Sequence, residues 1–108
     1  MSTNQIAFKM KIKPGHAAEY KRRHDEIWPE LLDLLKQQNI SDYSIYLDEE
    51  TSILFAVQNI GSTISSSNQS LKDNPIMKKW WIYMADIMET NSDSSPISEP
   101  LKLVFHMD

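Results

Sequence analysis

A chain of 108 residues in which 15 acidic side chains face 11 basic ones, for a net charge of −4, can bury one modest core but not two, and it offers little to nucleic acid or an anionic membrane surface. The sequence contains no cysteine, which excludes disulfides, thiolate catalysis and cysteine-held metal without revealing the redox compartment. The first residues are polar and no apolar run approaches the roughly 20 residues that span a bilayer, so a cytoplasmic, soluble single domain is the default expectation.

Ile6, Phe8, Met10 and Ile12 alternate with Ala7, Lys9 and Lys11, the period of a half-buried strand. Pro14 suits the first turn of a helix, where its missing amide hydrogen costs nothing, and helix is predicted from Gly15 to about His24. Asp25 and Pro29 interrupt that pattern. Leu31, Leu32, Leu34 and Leu35 then give a second helical stretch a broad apolar face, ending in the polar Lys36 to Asn39.

Tyr43 to Leu47 and Ser52 to Gln58 are β-rich runs joined by Asp48-Glu49-Glu50-Thr51, a connector of hairpin length. Gly61 to Ser70 is serine-rich and reads as a loop or a weak, short helix. Asn74 as cap and Pro75 at the first position open a better helix, with Ile76, Trp80, Tyr83 and Ile87 beside Met77, Trp81, Met84 and Met88; both sides of it look buried. Glu89 to Pro100 is long for a connection and is a candidate lid or subunit clamp. Leu101, Leu103 and Phe105 predict a last strand.

The order βα, ββ, αβ predicts an α+β, ferredoxin-like sandwich: a four-stranded antiparallel sheet with helices on one face. Its other face is left apolar enough to seek a partner.

Tyr20 and His24 lie one helical turn apart on an otherwise apolar face, so a titratable ring is aimed at the core. Such a histidine is either a hydrogen-bonded packing residue or a catalyst. His16 lies two turns away, about 12 Å along the helix, too far to share a small ion with His24, so neither a metal nor another cofactor is expected. Trp80 and Trp81 point about 100° apart; they pack in the core, or one borders a cavity where a sugar ring can stack its C–H face on indole. Tyr43 and Tyr46 should face opposite sides of the sheet. Arg22 and Arg23 read as solvated or paired with nearby acids. No phosphate loop, serine elbow or paired-carboxylate motif appears.

Tyr20-Lys21-Arg22-Arg23-His24, followed by Ile27-Trp28-Pro29-Glu30-Leu31, resembles the L-rhamnose mutarotase family. Similar blocks recur at Tyr43 to Asp48, Trp80 to Met84, Asn91 to Pro96 and Val104-Phe105, almost end to end. The resemblance implies a homodimer of the dimeric α+β barrel type, converting the α and β anomers of L-rhamnose. The family's proton donor falls on His24, and its sugar-contacting residues on Tyr20, Tyr43, Trp80 and Trp81. Asp25-Glu26 departs from a pattern that often has Asn-Pro there, and the serine-rich stretch is longer and more polar than expected.

Mutarotation needs a proton delivered to the ring oxygen and one removed from the anomeric hydroxyl, and an imidazole near its ordinary pKa of about 6.5 can exchange one at neutral pH. The expectation is that His24 donates to the ring oxygen, with the base unassigned. Two other readings stay open: a ferredoxin-like monooxygenase with the tryptophans as a flat wall, and a sugar-binding module without turnover.

Overall fold

A computed structural model describes residues 3–61 and 73–108 of the chain; the serine-rich segment expected to be a loop or weak helix falls, beyond Gly61, outside these residues. Strand β1, Thr3–Lys11, realises the alternating pattern: Met10 and the following Ile12 turn inward with 8% and 2% of their surfaces exposed. Gly15, at φ +87°, makes the reversal that starts the first helix, a conformation in which a side chain would be strained.

The helical region is two helices, α1 (Ala17–Asp25) and α2 (Pro29–Gln37). Pro29 occupies the first turn of α2 behind an extended Trp28, because a proline ring disfavours helical backbone in the preceding residue. Leu31 and Leu34 bury the inner stripe of α2, while Leu32 remains 41% exposed. Asn39 at φ 60° then carries the chain into β2, Ile40–Asp48.

The β2 turn back into β3 (Ile53–Gly61) is closed by the Ser52 amide donating to the Asp48 carbonyl at 2.8 Å. Both strands exceed the predicted β-rich runs, since ladder pairing continues past the apolar stretch. Helix α3, Pro75–Met84, begins where predicted, with the Ile76 amide donating to Asn74 Oδ1 at 2.8 Å, and a 3₁₀ turn, Ala85–Ile87, follows. One side of α3 is less covered than the sequence suggests, for Ile82 is 65% and Tyr83 39% exposed.

The antiparallel sheet has the order β2-β3-β1-β4, where β4 is Glu99–Pro100. This is the predicted α+β, ferredoxin-like arrangement. Inner-face Met10, Ile12, Leu54 and Ala56 meet Leu31, Leu34, Met84 and Ile87 from the helical layer. Among the described residues, no helix is long and apolar enough to cross a membrane.

One expectation is corrected at the C-terminus. Residues 89–100, the candidate lid or clamp, are held to the body of the chain: Glu89 donates to the Lys11 carbonyl, Ile97 to the Glu89 carbonyl, and Asn91 and Ser95 close a tight turn between them. The predicted final strand at Leu101, Leu103 and Phe105 shrinks to Glu99–Pro100, paired with Lys9 and Phe8. After Leu101 donates to the Ala7 carbonyl, the tail leaves the β1 edge, with Val104 86% and Phe105 77% exposed. Alternation alone does not make a strand; the ladder needs a partner.

Candidate active site

His24 is presented by the last turn of α1, whose Tyr20, one turn earlier, is buried at 8% exposure. The two rings stack with centroids 4.3 Å apart. His24 Nδ1 lies 3.1 Å from the Tyr20 carbonyl oxygen, and since a carbonyl only accepts, Nδ1 must carry the hydrogen. In the neutral ring this leaves the lone pair on Nε2.

Burial holds the imidazole below its ordinary pKa, outweighing the Tyr20 carbonyl and the charge of Asp25, both of which favour the protonated form. Asp25 does not approach the ring as a partner; it accepts from Lys21 Nζ at 2.9 Å. At neutral pH His24 therefore rests as a proton acceptor.

Trp80 and His24 meet in a T-shaped pair, with ring centroids 5.4 Å apart and an interplanar angle of 90°. Trp80 is 6% exposed and continues into an aromatic chain: Trp28 at 5.1 Å, then Tyr83 at 5.6 Å from both indoles. Trp81 is half-buried against the core and joins none of these ring contacts among the described residues. The tryptophan pair is thus divided, with Trp80 beside the imidazole. A cleft of about 350 Å³, lined by Trp28, Glu30, Ile76 and Lys79, borders the aromatic chain at Trp28.

Tyr43 comes from the sheet. A register shift between Ser41 and Ser44, with Asp42 at φ 47°, sets its direction; its ring lies 6.4 Å from Phe8 while 38% of the residue stays exposed. Tyr46 points outward with 66% of its surface exposed, the expected opposite face. Tyr43 is close enough to Tyr20 for the two phenols to interact electrostatically, and burial pushes Tyr43 up to about 12 and Tyr20 upward more strongly. Both remain neutral donors at physiological pH.

Sequence reasoning missed Trp28, Tyr83 and the burial of Arg23. Arg23 is paired with acids as expected, but its side chain is only 10% exposed. It donates to Glu19 at 2.7 Å, to the Tyr83 carbonyl at 2.7 Å and to Asp86 at 2.9 Å, with its guanidinium 4.6 Å from the Tyr83 ring centroid. These bonds fasten α1 to the end of α3 and so fix His24 against Trp80. Arg22 keeps half its side-chain surface in solvent while bonding Glu19 and Glu26, and hydrogen bonds from Arg22 and then Arg23 lower the Glu19 carboxyl to about 2.

Gln58 was also missed, although its parity with Leu54, Ala56 and Ile60 on β3 was legible. It is 7% exposed and is the buried polar residue of the described core. The phenols of Tyr20 and Tyr43 and the Gln58 amide have no hydrogen-bond partner among the described residues. These groups stand at the edge of the core, not sealed within it: Tyr43 keeps 38% of its surface exposed, and the enclosed unpaired side-chain atom among the described residues is Gln38 Oε1. A neutral molecule with several hydroxyls and an apolar ring face would satisfy them.

Residues 5–107 match the L-rhamnose mutarotase family. The chain is 58% identical over 107 residues to an L-rhamnose mutarotase of Brucella anthropi, covering 99% of each, and 57% identical over 102 residues to one of Flavobacterium johnsoniae, covering 94% of each. The crystal structure of an L-rhamnose mutarotase from Formosa agariphila superposes with a TM-score of 0.90 at 50% identity, over 97% of this chain and 99% of that one.

Proposed function

The chain belongs to the L-rhamnose mutarotase family, and from that membership and the site's geometry we propose that it interconverts the α and β anomers of L-rhamnose, with His24 carrying the proton. The observation that carries this reading is the hydrogen bond from His24 Nδ1 to the Tyr20 carbonyl, which leaves Nε2 as the acceptor of a buried, neutral imidazole.

Nε2 takes the proton of the anomeric hydroxyl as the bond from the anomeric carbon to the ring oxygen breaks, and the imidazolium returns a proton to the ring oxygen. The products are an open-chain aldehyde and the resting imidazole. Rotation about the bond next to the aldehyde and reversal of the transfers closes the ring on its other face. Both oxygens sit on one carbon in the closed sugar, so a single nitrogen serves both. The donation to the ring oxygen expected from sequence is retained, and the unassigned base becomes the same residue.

Tyr20 and Tyr43 donate hydrogen bonds to sugar oxygens, and Trp80 and Trp81 hold the ring and limit water; Trp80, which meets the imidazole in a T-shaped pair, is the nearer wall. The family match and the solved relative give the monooxygenase and non-catalytic readings no support. NMR exchange between the anomeric proton signals of L-rhamnose tests the proposal. Wild-type protein should accelerate it, and His24→Ala should slow turnover by about 10²–10⁴; unchanged exchange in the folded variant overturns the role of His24.

The working unit we propose is a homodimer of the dimeric α+β barrel type. Support comes from the outward Tyr46 and Phe55, 66% and 37% exposed, and from the apolar tail beyond Leu101, surfaces that a second copy would cover.

A further inference from the structure

We infer that Gln58 is a specificity-determining ligand for a sugar hydroxyl remote from the anomeric centre. The inference rests on the mutarotase reading and concerns a residue outside the expected site. Gln58 lies on β3 with Ile6 of β1 as its register partner on one side and the irregular Asp42-Tyr43 segment of β2 on the other. Its side chain shares the inward face with Ala56, over which Phe8 and Tyr43 approach each other.

Three observations point to a ligand rather than to packing. The residue is 7% exposed, yet its amide meets no hydrogen-bond partner among the described residues. The amide is not sealed in, because the fully enclosed unpaired side-chain atom of the described residues is Gln38 Oε1. The inward positions of β3 are otherwise apolar, at Leu54, Ala56 and Ile60, so an amide here breaks the pattern.

A carboxamide offers one acceptor and two donor hydrogens in a plane, matching neighbouring hydroxyls on a pyranose and carrying no charge to attract an acid or phosphate. His24 stands on α1 of the helical layer, and Gln58 on the inward face of the sheet that this layer covers. A ring held between them presents its anomeric carbon to the first and a distant hydroxyl to the second.

The test uses Gln58→Met, which keeps length and removes the amide, and Gln58→Asn, which keeps the amide and withdraws it. Anomer exchange of L-rhamnose and of its 2-, 3- and 4-deoxy analogues gives KM and kcat, and the side-chain amide signal of Gln58 is followed by nitrogen-edited NMR as L-rhamnose is added. Expected are a Tm for Gln58→Met equal to or above wild type, KM for L-rhamnose raised about tenfold with kcat changed less, a smaller rise for Gln58→Asn, and one deoxy analogue that wild type and Gln58→Met bind alike. The amide signal should shift with sugar.

Unchanged KM in a folded Gln58→Met, with a static amide signal and an active wild type, overturns the inference and leaves the mutarotase reading standing. A wild-type chain that exchanges no anomers overturns that reading; the amide signal then decides for Gln58, a shift supporting a sugar ligand without turnover and a static signal overturning it. If Gln58→Met fails to fold, the KM of Gln58→Asn and the wild-type titration decide in its place: a raised KM with a shifting amide signal supports the ligand role, and an unchanged KM with a static signal overturns it.

Discussion

His24 combines two effects of opposite sign. A backbone carbonyl and a nearby carboxylate favour its protonation, burial opposes it, and burial wins. Two consequences follow for this residue. If neutral Nε2 starts the reaction, kcat should be flat around neutrality and fall as pH drops below the ordinary histidine value of about 6.5, a profile measured by NMR exchange in buffers that do not themselves catalyse mutarotation. The same shift couples to folding. The unfolded chain binds a proton at His24 more readily than the native one, so stability is lost as pH falls through about 6.5 toward the lowered native value. Urea midpoints at about pH 7.5 and about pH 5.5 should therefore separate more for wild type than for His24→Gln, and equal separations would show that the imidazole is not desolvated.

Among the secondary-structure elements, α1 and α3 must hold their relative position for the site to exist. Arg23 ties them together through Glu19, Asp86 and the Tyr83 carbonyl, whereas the neighbouring Arg22 bonds acids within its own helical region. Replacing Arg23 by Met should cost about 1–3 kcal/mol in urea unfolding, and Arg22→Met should lower the midpoint less, because its ion pairs are solvent-exposed. The entry to α3 has its own support in Asn74. Asn74→Ala removes the cap that holds the Ile76 amide and should cost about 1 kcal/mol, read as a lower denaturant midpoint with an unchanged fold. The element pattern was legible because proline, asparagine and apolar spacing act locally. The length of β4 was not, since a strand is completed by its neighbour.

Across the molecule, the C-terminal tail and the outer sheet face present apolar surface to solvent. Val104 and Phe105 are 86% and 77% exposed, an arrangement a second copy would convert into buried apolar area. Light scattering at micromolar protein should give twice the chain mass, and Val104→Asp combined with Phe105→Asp should shift it toward the single-chain mass; a wild-type monomer would count against the homodimer while leaving the chemistry of one subunit intact. Tyr20, His24 and Trp80, marked by spacing and aromatic character, meet ring against ring, while Tyr43 was marked by the family resemblance. Trp28 was hidden by its place between two helices, and Gln58 stands beside Asn59 at the polar end of β3, where parity with Leu54, Ala56 and Ile60 was the one signal of its inward face.

The order of elements, the buried stripes of β1 and α2 and the family are written in the chain, because hydrophobic period, caps and motif spacing are properties of neighbouring residues. Folding in three dimensions was needed to establish that Trp80 rather than Trp81 meets the imidazole, that Nδ1 is tied to a carbonyl, that desolvation keeps the ring neutral and that Gln58 is left without a partner. Each of those depends on the distance and angle at which remote segments pack, and on the water their packing removes.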